Sequence, residues 1–329
     1  MKIALDAMGS DARPVPDVEG AVMAAREFGV TVILVGDESR IRTELAQHDT
    51  RGLNLPIVHA PSDIGMTEHV DAVKSKRDAS MNVAMRLVRE KQADAFVTAG
   101  NTGAAMAAAI AGPYLLGRIK GIKRPALTAT LPTATGRLLL LDIGANADVK
   151  PEYLHQFAIM GAAYAQKVMG IANPRVKLLS NGEEEGKGPV VVREAYALLK
   201  NSPLNFIGNA EGRDIPKGSA DVIVTDGFTG NVVIKLSESL AKTLVGFIRD
   251  EIKKRPVAVA GAALAKPAFD ALKSRLDPAE YGGGILLGVD GVVIIGHGSS
   301  NATAIKNAIR VAKEAVEGNV VELIRIGLE

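Results

Sequence analysis

Short runs rich in Val, Ile and Leu alternate with amphipathic runs along this whole sequence, and that rhythm constrains the fold more than any other feature. The apolar runs fall at residues 2–6, 31–36, 55–60, 95–99, 126–131, 138–141, 176–180, 206–208, 222–225 and 292–295, each of strand length. Helical spacing predicts helices at 18–28, 79–91, 103–111, from Pro151 onward, 190–200, 232–255 and 303–317. Strands that alternate with helices need a sheet covered on both faces. The expected fold class is therefore α/β, a three-layer αβα sandwich with a mostly parallel sheet. The chain is long enough to bury a large core, and residues 1–329 are read as one α/β domain.

One segment breaks the rhythm. Between Arg255 and Gly282 no strand signal occurs, and the apolar tip from Val257 to Ala265 is followed by Lys266-Pro267 and a second helical run. A projecting helical hairpin at about 232–281 is expected. Lys253, Lys254 and Arg255 precede its tip, and Lys266, Lys273 and Arg275 follow it. Apolar residues flanked by cations suit an anionic membrane surface, or the acidic surface of a carrier protein.

In open parallel sheets ligands bind beyond the carboxyl ends of the strands. Here those ends read Asp6-Ala-Met-Gly-Ser-Asp11, Thr98-Ala-Gly-Asn-Thr-Gly103, Asp142-Ile-Gly-Ala-Asn146, Ser180-Asn-Gly-Glu-Glu-Glu-Gly-Lys-Gly188, Thr225-Asp-Gly-Phe-Thr-Gly-Asn231 and Gly296-His-Gly-Ser-Ser-Asn301. Glycines allow close backbone approach, hydroxyls and amides donate neutrally, and helix N-termini attract anions. The same residue types also make caps and tight turns. Six such loops on one edge are expected to hold phosphate or a similar oxyanion. The candidate binding residues are Asp6, Gly9, Ser10, Gly100, Asn101, Thr102, Gly103, Asp142, Asn146, Asn181, Gly182, Asp226, Gly227, Thr229, Gly230, His297, Gly298 and Ser299. Lys187 is the one cation set inside these loops, flanked by glycines. It suits an anion, and a solvated surface lysine is the plain alternative. Asp6, Asp142 and Asp226 can either hold a divalent metal or accept amide hydrogen bonds, and the second role is expected. His297 can act as a base or as an oxyanion donor.

Several classes are disfavoured. The net charge of +2, the lack of Trp and the 4% aromatic content do not suit a nucleic-acid binder. Without Cys there is no disulfide, thiolate nucleophile or iron–sulfur ligation. The four histidines His48, His59, His69 and His155 lack metal-ligand spacing, so no metal is expected. The segment 182–188 has one residue too few for a P-loop, and Gly282–Gly288 lacks the dinucleotide spacing, so no nucleotide or other cofactor is expected. Met1–Asp6 reaches a carboxylate too early for a signal peptide, and the longest uncharged stretch contains Pro113 and is too short to span a bilayer.

Taken together and in this order, from Leu5-Asp-Ala-Met-Gly-Ser-Asp11 to Gly296-His-Gly-Ser-Ser300, the loops resemble those of bacterial phosphate acyltransferases. Ser10 stands where that family commonly has Gly. The resemblance implies a fold related to phosphotransacetylases and isocitrate-type dehydrogenases, and a homodimer formed through the hairpins. It implies transfer of a long acyl chain from acyl carrier protein to inorganic phosphate, with Lys187 and Asn231 most directly tied to catalysis. A downstream glycerol-3-phosphate acyltransferase would use the product. The expected location is the cytoplasm, with peripheral contact to the inner face of the membrane through Val257 to Ala265. A short-chain acyl-CoA phosphotransferase and a dinucleotide-dependent dehydrogenase are the alternatives.

Overall fold

A computed structural model describes residues 1–328. Eleven strands form one continuous sheet: β1 (Lys2–Asp6), β2 (Thr31–Gly36), β3 (Ile57–His59), β4 (Ala95–Thr98), β5 (Ala126–Thr133), β6 (Gly136–Leu141), β7 (Val176–Leu179), β8 (Phe206–Ala210), β9 (Val222–Val224), β10 (Gly284–Leu287) and β11 (Val292–Ile295). Their order is β3-β2-β1-β4-β11-β10-β5-β6-β9-β7-β8. Both faces are covered, as the unbroken apolar runs require. Successive residues alternate between the layers. Ile3 and Leu5 join the core beneath helices Val15–Phe28, Pro151–Lys167 and Ala302–Glu317, whereas Ala4 joins the core beneath Ser80–Arg89 and Thr102–Ala111.

β10 is a strand the sequence reading did not expect. It runs antiparallel to both β11 and β5, and β5 runs antiparallel to β6. Three reversals in succession turn the sheet around, so β6, β9, β7 and β8 run opposite to β1, β2, β3, β4 and β11. The sheet remains mostly parallel, because every pairing within each half is parallel. However, the carboxyl ends no longer share one edge, and the expectation of a single edge is corrected. β10 was hidden by its glycines. Gly284 lies so close to β5 that a side chain there would overlap the Thr128 carbonyl oxygen. The position therefore demands the residue type that weakens a strand signal.

The long helix starts at Gly227, earlier than the periodicity suggested, because Asp226 caps it from outside the apolar repeat. It ends at Lys253. Helices Pro256–Leu264 and Lys266–Leu276 then form the expected hairpin, in which no residue is buried. The hairpin rejoins the body where Arg275 Nη2 donates to the Thr133 carbonyl at 2.7 Å. A closing helix, Val320–Ile326, was also not anticipated. None of the described helices is long and apolar enough to cross a membrane.

Candidate active site

The two half-sheets gather the six loops into two groups of three. The first group follows β1, β4 and β11. Asp6 is buried at the end of β1, and its carboxylate accepts from Met8 N at 3.2 Å and Thr98 Oγ1 at 2.8 Å. Thr98 in turn accepts from Gly100 N at 2.9 Å, so one hydroxyl ties two loops together. Asp11 N donates to the Gly298 carbonyl at 2.8 Å, which brings in the third. Burial pushes the Asp6 carboxyl up, against the hydrogen bonds from Thr98 and Met8. Asn101 is spent on structure: Oδ1 caps helix Thr102–Ala111 through Ala104 N, and Nδ2 holds the Met66 and Glu68 carbonyls. His297 is exposed, and its Nδ1 accepts from Ser299 N at 3.2 Å and lies 2.8 Å from Ser299 Oγ.

The second group follows β6, β9 and β7, which are adjacent in the sheet, with Leu141 and Leu178 both in register with Val224. The Asp142 carboxylate accepts five N–H donors: Leu127 N, Gly144 N, Ala145 N, Asn146 N and Asn146 Nδ2, at 2.7 to 3.1 Å. Burial raises its pKa, and these donors oppose that. Because every neighbour is a donor, the ionised form is the one that fits. Asp226 caps helix Gly227–Lys253, accepting from Thr229 N and Thr229 Oγ1, each at 2.8 Å. The helix start is pressed against the Asp142 loop. Gly227 N donates to the Asn146 carbonyl at 2.7 Å, and a side chain at Gly230 would overlap the Asp142 carbonyl oxygen.

All three aspartates accept hydrogen bonds from their own loops in this fold. Each organises its own loop, and among the described residues no three His, Asp or Glu side chains gather as a metal set. Some of the loop amides are likewise satisfied within the protein. The amides of Gly100, Gly227, Thr229 and Gly230 all bond within the protein. The polar groups left uncommitted include the side chains of Lys187 and Asn231 and the backbone amides of Thr102, Gly103 and Phe228. Asn231 is half-buried and makes no hydrogen bond through its amide to a described residue. Lys187 is exposed, and its stem lies over Gly182, where an added Cβ would come within 2.7 Å of Lys187 Cγ. It forms no ion pair with a described residue: Glu185 pairs with Lys200 at 2.8 Å and Glu183 lies 3.8 Å from Arg213, while Glu184 shares the space over Gly182 with the lysine stem. Asn181 and Thr102 also keep free polar groups.

Residues 1–323 match the family model described as fatty acid synthesis protein. Curated relatives named phosphate acyltransferase include that of Pelotomaculum thermopropionicum, 53% identical over 100% of this chain and 95% of its own. That of Geotalea uraniireducens is 52% identical over 97% and 92%. The chain belongs to the phosphate acyltransferase family. As a member it is an acyltransferase, and the loops above are the candidate site of a phosphate acyltransferase. Its fold resembles that of a phosphotransacetylase from Streptococcus pyogenes, with a TM-score of 0.64 at 17% identity, covering 96% of this chain and 94% of that one. A branched-chain phosphotransacylase from Enterococcus faecalis gives a TM-score of 0.57 at 16% identity, covering 96% and 99%.

Two residues outside the expected set shape the candidate site of this phosphate acyltransferase. Thr98 couples Asp6 to Gly100, and its signal was a polar residue ending an apolar strand. Asp17 lies buried on helix Val15–Phe28, where Ser10 Oγ donates to its Oδ2 at 2.5 Å and its Oδ1 has no partner. Burial pushes the Asp17 carboxyl up to about 8. A folded-state pKa above the unfolded value near 3.8 means that the native state holds a proton the unfolded chain releases. The resulting stability is full below about pH 4 and drains away as pH rises toward about 8. Denaturant titrations should therefore show wild type losing ground to Asp17→Asn across that window. Parallel pH profiles would refute the assignment.

Proposed function

We propose that the protein moves a long acyl chain from acyl carrier protein to inorganic phosphate. A phosphate oxygen attacks the thioester carbonyl carbon, the carbonyl becomes a tetrahedral oxyanion, and its collapse breaks the C–S bond. The products are an acyl phosphate and a carrier thiolate, which takes a proton from solvent. Phosphate is already partly a dianion at neutral pH, and the thiolate leaves readily, with a thiol pKa of about 8–9. Little proton transfer is needed, so positioning and charge stabilisation dominate.

One observation carries this reading. β7 and β9 are neighbours in the sheet. The loop after β7 carries an unpaired ammonium, Lys187, while the helix that follows β9 carries an uncommitted amide, Asn231, in its second turn. Lys187 neutralises the phosphate or the oxyanion, and Asn231 orients the reactants. Family membership supports the reaction type. The deciding measurement is a single-turnover reaction with a long-chain acyl carrier protein and labelled phosphate. Acyl phosphate should form, and faster than from short-chain acyl-CoA; failure with the carrier alongside success with acyl-CoA would favour a short-chain phosphotransferase.

The hairpin supports a homodimer and a peripheral membrane contact. Leu236, Leu240, Leu244 and Phe247 form an exposed apolar stripe along helix Gly227–Lys253, a face suited to a second copy. At the tip Val257 is 86% exposed and Leu264 87%, which leaves them free for lipid while the stems pair. Flotation with anionic vesicles should recover wild type and lose most of Leu264→Glu. Equal absence of both from the lipid fraction would remove membrane contact from the proposal. A downstream glycerol-3-phosphate acyltransferase would then receive the acyl phosphate at the same surface.

A further inference from the structure

We infer that the loop Arg118-Ile-Lys-Gly-Ile-Lys-Arg124 is the surface on which the acidic carrier of the acyl group docks. The inference rests on the carrier reading above and adds the place of contact. Between Asp94 and Asp142 the sequence has no acidic residue, yet four cations crowd into this loop: Arg118, Lys120, Lys123 and Arg124. All four are exposed, and none forms an ion pair with a described residue. The bordering acids are engaged elsewhere. Asp94 accepts from Lys2 N at 2.7 Å, Asp142 is buried among its donors, and Asp290, beside Gly117, is bound to Arg325.

The loop is held in place rather than left to wander. Ile119 and Ile122 are buried, and Ile119 N donates to the Gly288 carbonyl at 3.0 Å. Gln156, on helix Pro151–Lys167, holds it from the other side: Oε1 accepts from Lys123 N at 2.8 Å and Nε2 donates to the Gly121 carbonyl at 2.9 Å. The backbone is thus fixed, further tied by the Arg118 guanidinium donating to the Lys123 carbonyl, while Lys120 and Lys123 are exposed to water. Such a pre-set row of like charge accelerates the approach of an oppositely charged surface without needing apolar burial.

Its position connects it to the chemistry. Arg124 and Pro125 line a small cavity with Met106, Ile110, Ala145 and Asn146. Asn146 belongs to the Asp142 loop and donates through Nδ2 to the Pro125 carbonyl at 2.8 Å. A protein seated on the loop would therefore stand beside the opening to the Lys187–Asn231 group of loops. A lipid surface fits less well. The two isoleucines are buried, so the loop has no apolar tip to insert, whereas the hairpin has one.

The test compares wild type with Lys120→Glu/Lys123→Glu, whose altered side chains lie in solvent. With long-chain acyl carrier protein the KM should rise about tenfold and its dependence on salt should flatten, as expected for charges that govern encounter. With the uncharged N-acetylcysteamine thioester of the same acyl chain, kcat/KM should stay the same. Equal loss on both donors, or no loss on either, would overturn the inference. Binding of unacylated carrier protein, read by fluorescence anisotropy, keeps the two readings separable. If neither donor yields acyl phosphate the proposed reaction is wrong, yet weaker carrier binding by the variant would still support the docking surface. If the variant instead keeps carrier binding and loses anionic vesicles, the loop is a lipid contact and the inference fails.

Discussion

Replacing Lys187 with alanine is expected to lower the rate of acyl phosphate formation by about a hundred- to a thousandfold, the range seen when one donor to a developing oxyanion is removed. The protein should stay folded, because Lys187 is exposed and its charge is bound to no described partner. Melting temperature and rate should therefore separate cleanly. Arginine at the same position keeps the charge but spreads it over a plane, and Gly182 leaves room for one extended stem, so partial activity is expected. A near-normal rate for Lys187→Ala would remove this residue from the reaction.

Gly230→Ala should be the most damaging single methyl group in the chain. Its Cβ would overlap the Asp142 carbonyl oxygen, and the obstacle is backbone, which cannot swing aside like a side-chain tip. Helix Gly227–Lys253 would have to back away from the Asp142 loop, taking Asn231 with it. Overpacking of this kind typically costs about 1–3 kcal/mol of stability. The loss of activity should be larger than that, since a displacement of about 1 Å in a positioned group can cost about a hundredfold in rate. Gly246→Ala on the same helix is the control. Its Cβ meets open space, so a gain of up to about 1 kcal/mol is expected from helix propensity alone. If the two variants behave alike, the packing of the helix start does not govern the site.

The contrast between these two glycines shows what could be read from sequence. The strands were legible because buried parallel strands are continuous apolar runs: residues 2–6, 31–36 and 292–295 emerged with the bounds the structure gives them. The hairpin was legible because its apolar residues have helical spacing and no strand interrupts them. β10 was not, since packing against Thr128 requires glycine where a strand signal needs a branched side chain. Missing that one strand concealed the reversal of the sheet, and with it the division of six loops into two groups. Within the candidate site, residue types mark the loops but not which of their polar groups stay free. Asn101, Asn146 and Asp226 look like ligand binders on paper, yet their side chains are consumed as caps and clamps. Only three-dimensional pairing distinguishes them from Asn231. Asp17 was illegible for a related reason: nothing in its neighbours announces that a helix will bury it against Ser10.

The return of the chain to its own beginning has a consequence for synthesis. β11 completes the N-terminal half by pairing with β4, and helix Ala302–Glu317 lies against helix Val15–Phe28 so tightly that Gly20 touches Ile305. While the ribosome is still translating the hairpin, β4 is an open edge and the inner face of Val15–Phe28 has no cover. The nascent polypeptide must keep that half unfinished through most of its own production, exposed to mispairing with neighbours on the same messenger. A stalled or truncated product that lacks β11 and helix Ala302–Glu317 should aggregate rather than persist as a stable fragment.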